Sequence, residues 1–252
     1  MKNDKVFKRI EKNTFASCIP IISRNQNELL ADVEAGVANG CDFLEWRRDH
    51  FRPDEVVKSD EEINLLNAIK ARMPNQGLIY TYRSHREGGV CLTSDEIREA
   101  AITTAIKSKV VDYVDVELNN EATFLERIKQ VLKDSCTKWI VSHHNFEKTP
   151  NSKEMTALYT AMDSIGGDVL KLAVTPHTTA DLRCVLQETL KYNDQTEKTI
   201  IAIAMGELGG ITRIVTELCG GSLTYTAGTG KTAPGQLSLE EIVDLRKKIA
   251  LI

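Results

Sequence analysis

The sequence predicts an α/β protein folded as a single (β/α)8 TIM barrel over residues 1–252, and three observations predict it. The first is length: 252 residues match the roughly 250 that such a barrel takes. The second is alternation, because short β-branched or apolar runs are followed again and again by longer stretches of helical period. The third is the turn after the first strand, Ser23-Arg24-Asn25-Gln26-Asn27, which lacks the glycines of a phosphate-binding turn in an open doubly wound sheet.

Strands are expected at 16–23, 43–47, 77–82, 113–117, 139–143, 169–174, 199–204 and 222–226. Helices follow them near 26–39, 59–72, 94–107, 121–133, 151–164, 178–191, 208–218 and 238–250. Ser94-Asp95-Glu96 opens the third helix with a capping residue and two acids that suit its positive end. Asn151-Ser152 opens the fifth just after Pro150, and Ser238-Leu-Glu240-Glu241 opens the last as a capping box. Residues 1–14 precede the first strand and are expected to close the barrel's bottom.

Composition narrows the function classes. With 42% apolar and 27% charged residues the chain is an ordinary globular one rather than disordered. A net charge of −4 with no basic block argues against nucleic acid as a partner. Six cysteines stand singly with no C-x-x-C pair, the pattern of reduced core thiols rather than disulfides or a metal site. The N-terminus, MKNDKVFKRIEKN, is charged throughout, and no stretch approaches the ~18 apolar residues of a membrane helix. A cytoplasmic protein with no membrane partner is expected.

Chemistry is expected at the carboxyl ends of the strands, where barrels of this kind carry their active sites. Period two puts Glu45 and Arg47 on one face of the second strand and Trp46 on the other. The third strand ends Thr81-Tyr82-Arg83, the fourth Asp115-Val116-Glu117 and the fifth Ser142-His143-His144. Lys171 interrupts the apolar run Val169-Leu170-Lys171-Leu172-Ala173-Val174, and lysine is rarely buried without a reason. If Arg47, Arg83 and Arg213 converge on its cavity, desolvation and positive charge would lower its ammonium pKa and free the amine to attack a carbonyl. His144 is placed to shuttle a proton. His143 points the other way and reads as structural or solvent-exposed. Glycines at 206, 209, 210, 220 and 221 could cradle a phosphate, but Arg213 with a hydroxyl and an amide better suits a carboxylate. Gly230-Lys231-Thr232 imitates a P-loop tail, yet the required first glycine would fall on Tyr225.

These residues resemble the type I 3-dehydroquinate dehydratases of the shikimate pathway, over nearly the whole chain. The landmarks run from Cys18-Ile-Pro20 through Glu45-Trp-Arg47-x-Asp49-His-Phe51, Arg83-x-x-x-Glu87-Gly-Gly89 and Ser142-x-His144-x-Phe146-x-x-Thr149-Pro150. They continue with Lys171-x-Ala-Val-x-Pro176, Met205 to Arg213, and Ala233-Pro-Gly-Gln236. The resemblance implies that Lys171 forms a Schiff base with 3-dehydroquinate, that His144 is the general acid and base, and that Glu87 orients it. It implies further that Arg213, Gln236 and Thr232 hold the substrate carboxylate, that Glu45, Arg47 and Arg83 position ring hydroxyls, and that Met205 is an apolar wall. A closing loop at 228–236, a homodimer, and no metal or other cofactor are implied as well. Three positions depart from the family pattern. Asn145 stands where an acid is common, which would lower the pKa of the catalytic histidine; Thr232 and Gly221 each stand where a serine is common. Two rivals remain at this point, a class I aldolase-like barrel acting on a sugar phosphate and a non-catalytic member of the family.

Overall fold

The computed structural model describes residues 7–52, 58–228 and 235–251. Its eight strands are β1 (Ser17–Ile21), β2 (Phe43–Arg47), β3 (Gly77–Thr81), β4 (Tyr113–Glu117), β5 (Lys138–Asn145), β6 (Val169–Val174), β7 (Thr199–Ala204) and β8 (Thr224–Tyr225). Paired strands are parallel, in the order β7-β6-β5-β4-β3-β2-β1-β8. Among the described residues no ladder joins β7 to β8, so the sheet curls into a nearly closed barrel. The helices around it are α1 (Gln26–Ala38), α2 (Ser59–Arg72), α3 (Asp95–Lys107), α4 (Ala122–Lys133), α5 (Ser152–Ser164), α6 (Thr179–Asn193), α7 (Gly210–Ile214) and α8 (Leu239–Lys248).

Alternation along the strands builds two cores. Leu44, Trp46, Leu78, Tyr80, Val114, Val116, Trp139, Val141, Leu170 and Leu172 pack outward against the helices. Phe43, Ile79, Tyr113, Ile140, Val169 and Ile201 fill the barrel's interior instead. Each such side chain contributes about 1.5–3 kcal/mol on burial. Two residues further along, the inward positions of five strands become Glu45, Thr81, Asp115, Ser142 and Lys171, all buried. Five consecutive strands therefore change from apolar to polar at one level, which sets the floor of the site.

Residues 7–14 do close the bottom. Ile10 joins the interior cluster and its N–H donates to the Tyr113 hydroxyl at 2.8 Å, while the Lys8 N–H donates to Asp112 at 2.8 Å. Of the expected caps, Asn151 and Ser238 form full boxes with Glu154 and Glu241. Ser94 precedes α3 but its hydroxyl makes no capping bond. The helix expected at 208–218 is broken: a 3₁₀ turn at Glu207–Gly209, the short α7, then a second 3₁₀ turn at Thr216–Cys219. Gly209 sits at the break, where a Cβ would lie 1.9 Å from the Ala204 carbonyl oxygen. Four cysteines are buried, whereas Cys184 is half-buried and Cys136 is exposed. No helix of the described residues is long and apolar enough to cross a membrane.

Candidate active site

A cavity with about 730 Å³ of empty space opens at the carboxyl ends of the strands. Its lining includes Glu45, Arg47, Arg83, Glu87, His144, Lys171, Met205, Arg213 and Gln236. Nine of the ten residues singled out from sequence thus meet in one place, and the tenth, Thr232, lies outside the described residues. Met205 forms the expected apolar wall together with Ala173 and Ile203.

Lys171 is 3% exposed and reaches the cavity from the middle of β6. Its neighbours differ from the expected ones. Nζ donates to Asp115 Oδ2 at 2.8 Å and to the Tyr225 hydroxyl at 2.9 Å, with Glu45 Oε1 at 3.6 Å. The amine also lies 4.2 Å from the centre of the Tyr225 ring. Two of the three arginines expected to crowd it are turned to carboxylates. Arg47 grips Asp49 with two bonds of 2.8 and 2.7 Å. Arg83 donates to Glu117 and Ser142 at 2.9 and 2.8 Å and lies 3.0 Å from Asp115. Lys171 is therefore an ion-paired amine, because a buried cation needs a counter-charge more than it tolerates a second cation.

His144 leaves β5 pointing into the cavity, and its ring stacks on Phe146 with centroids 6.2 Å apart. Its Nδ1 and its backbone N–H both meet Glu87 Oε2 at 2.9 Å, which leaves Nε2 on the cavity side. Burial first, then Arg83 and Lys171, hold the imidazole well below its usual range, so the ring is neutral near pH 7. Asn145 adds no charge beside the ring. Its side chain instead accepts the N–H groups of Glu147 and Lys148 at 3.0 and 2.9 Å, forming the turn that ends β5. Burial pushes the Glu87 carboxyl up to about 7, against Arg83 and its hydrogen bonds.

His143 is largely buried. Its side chain is 13% exposed, Nδ1 is 3.1 Å from Asn119 Nδ2, and that amide donates to Glu87 Oε1 at 2.8 Å. Alternation still separates the two histidines, since only His144 lines the cavity, yet both reach the same carboxylate.

On the far wall, Arg213 is 1% exposed, and one of its N–H groups donates to the Tyr225 carbonyl at 3.0 Å. Burial lowers its guanidinium to about 10, leaving it a cation at neutral pH that an arriving anion would stabilise. Gln236 follows Gly235, whose φ of +73° and missing side chain let the chain pass Gly206; a Cβ there would meet the Gly206 carbonyl oxygen at 2.2 Å. Some of the glycines near α7 have packing reasons as well, although a Cβ at Gly206 or Gly210 would meet open space. At Gly221 a Cβ would lie 2.7 Å from Thr216 Oγ1, which accounts for the absence of a serine. With Gly209 pressed on Ala204, these positions serve close backbone contact, which weakens the case for a phosphate cradle.

Comparison with known proteins settles the family. Residues 17–250 match the type I 3-dehydroquinase family. The chain belongs to it. Among curated relatives, a 3-dehydroquinate dehydratase of Shouchella clausii is 32% identical over 226 residues, covering 89% of this chain and 88% of its own length. One of Klebsiella pneumoniae is 31% identical over 232 residues, 90% of this chain and 92% of the relative. Among solved structures, the 3-dehydroquinate dehydratase of Geobacillus kaustophilus superposes with a TM-score of 0.88 at 26% identity, covering 96% of this chain and 92% of that one. A Clostridium difficile type I enzyme, described as carrying covalently modified comenic acid, gives 0.87 at 27% identity, with 93% and 92% covered. Within this type I family architecture, sequence reading left Asp115, Tyr225 and Asn119 without a role. Asp115 carried a signal, an acid at an inward position two residues before Glu117; Tyr225 and Asn119 carried none.

Proposed function

We propose that this chain is a hydro-lyase that converts 3-dehydroquinate to 3-dehydroshikimate through a Schiff base on Lys171. The observation that carries the proposal is a buried lysine sharing one cavity with a neutral imidazole braced by a carboxylate. In this reading Lys171 Nζ bonds to C3 of the substrate, and the resulting iminium withdraws electrons from C2. His144 Nε2 removes the C2 proton, and the electron pair returns through the conjugated system to expel the C1 hydroxyl, which takes that proton and leaves as water. Each such proton transfer is worth roughly 10²–10⁴ in rate. Arg213 and Gln236, with Thr232, hold the substrate carboxylate, while Glu45, Arg47 and Arg83 order the ring hydroxyls. Asp115 balances the charge of the iminium as it balances the ammonium. The chemistry draws on the lysine alone as electrophilic catalyst and calls for no metal or organic cofactor.

Borohydride added with 3-dehydroquinate should trap a stable adduct on the peptide containing Lys171, and Lys171→Ala should abolish it. An adduct on a different lysine, or none in the unaltered protein, would overturn the reading. His144→Ala should still trap the adduct while turning over at a small fraction of the normal rate.

A further inference from the structure

The ion-paired state of Lys171 poses a chemical problem that the proposed function leaves open. An ammonium has no lone pair, so the amine must lose a proton before it can attack C3. Asp115 is the nearer carboxylate but a poor acceptor. Burial would raise its carboxyl, yet Arg83 and Lys171 hold it well below the usual range, and the Ser142 hydroxyl donates to it at 2.6 Å. Among the described residues no arginine lies within ion-pair distance of Glu45, which accepts from the Thr81 hydroxyl at 2.8 Å. The Tyr225 hydroxyl touches both, accepting from Lys171 Nζ at 2.9 Å and donating to Glu45 Oε1 at 3.5 Å, with Glu45 Oε1 itself 3.6 Å from the amine. Burial first, then Glu45, Cys18 and Asp115, keep the phenol protonated, so it can accept one proton as it gives up another. The hydroxyl's hydrogen bonds go to the amine and to Glu45, both in the cavity. A phenylalanine would keep the aromatic face beneath the ammonium and the place in β8 beside Cys18.

We propose that Tyr225 is a catalytic residue of the imine steps, relaying protons between Lys171 and Glu45. The Lys171 N–H bond breaks as an O–H bond forms on the phenol, whose own proton passes to the Glu45 carboxylate, leaving a free amine and a neutral acid. Attack forms the N–C3 bond and sends the carbonyl π pair to oxygen, and the phenol moves a proton from nitrogen to that oxygen. The proton lent to Glu45 then returns through Tyr225 to the carbinolamine hydroxyl. That hydroxyl departs as water while the nitrogen lone pair closes the C=N bond. No proton is gained or lost overall. Hydrolysis of the product imine runs the same path backwards.

The inference rests on the Schiff-base reading, and the test separates the two. Rapid-quench borohydride trapping at saturating 3-dehydroquinate gives the rate of imine formation in the intact protein. In Tyr225→Phe that rate should fall by about tenfold or more, on the scale of a single lost proton relay. The deuterium isotope effect on kcat with C2-labelled substrate should shrink towards unity, because imine formation then limits turnover. Failure of the unaltered protein to form any adduct would sink the Schiff-base reading itself. An adduct formed by Tyr225→Phe at the normal rate would sink only the relay. Should Tyr225→Phe not fold, Glu45→Gln removes the proton acceptor, and normal trapping in that variant overturns the relay equally.

Discussion

Replacing Glu87 with glutamine is expected to stabilise the protein above neutral pH while disabling it. Glu87 is 4% exposed and burial raises its carboxyl from 4.5 to about 7. Between those values the folded protein binds a proton that the unfolded chain has released, so this group's contribution to stability is fully present below about pH 4.5 and is lost as pH rises to about 7. With 1.36 kcal/mol per pKa unit, the penalty is under about 1 kcal/mol at about pH 5 and about 3 kcal/mol at about pH 8. Glutamine keeps an oxygen for the His144 N–H but carries no charge. Denaturant unfolding of the two proteins should therefore show the variant gaining roughly 2–3 kcal/mol over the parent between those two conditions. His144 titrates well below its usual range, so its own linkage cancels in the comparison. In the proposed mechanism the same ionisation governs turnover. Above about 7 the Glu87 carboxylate accepts Nδ1–H and leaves a lone pair on Nε2; below it, a protonated Glu87 donates to Nδ1 and leaves a proton on Nε2, the wrong form for a base. The rate of the parent should rise with pH through a single ionisation near 7 that the variant lacks. A stability difference that stays flat between about pH 5 and 8 would refute the reasoning.

Three further outcomes follow from the geometry. His143→Phe breaks the contact with Asn119 but leaves the 2.8 Å bond from Asn119 to Glu87, so kcat should change only a few-fold, against a loss of about 10²–10⁴ for His144→Ala; steady-state rates that fall equally at both would contradict the separate roles. Arg213→Gln removes a charged partner worth about 1.5–3 kcal/mol to an anion, and should raise KM by about 10- to 100-fold with kcat nearly kept. A loss confined to kcat would remove Arg213 from carboxylate binding. Gly89→Ala places a Cβ 2.2 Å from the Arg83 carbonyl oxygen, which should cost about 1–3 kcal/mol in a thermal or denaturant melt and lower activity at the same time; a variant normal in both would show that the loop is looser than it looks.

The fold was legible because its signals are local. Lys171 stood out as one charge inside an apolar strand, and period two correctly grouped Glu45 with Arg47 and separated His143 from His144. Partners were less legible, since alternation tells which face a side chain takes but not what it meets across a barrel. Asp115 and Tyr225 lie 56 and 54 residues from Lys171, and only the curl of the sheet brings them to its amine. The expected ring of cations failed for the same reason: Arg47 and Arg83 found carboxylates on their own or a neighbouring strand end, and Arg213 a backbone carbonyl. Where the chain leaves the sheet, period two lapses. Asn119 follows the end of β4 and reaches His143 at the rim, and the glycines around 209 sit at the break in a helix that helical spacing alone would have continued. The expected hydroxyl at Thr232 falls outside the described residues.

The loop after β3 folds back on its own strand: the Gly89 N–H donates to the Ser84 carbonyl at 2.9 Å, and its missing Cβ lets it touch Arg83. One cavity-lining cation and the carboxylate that meets the imidazole are therefore fastened to a single staple five residues long, from Arg83 to Glu87. Neither can be re-aimed without dragging the other. Evolution towards a differently shaped substrate would have little freedom on this wall, and would find its room opposite, where Met205, Arg213 and Gln236 hang from separate segments.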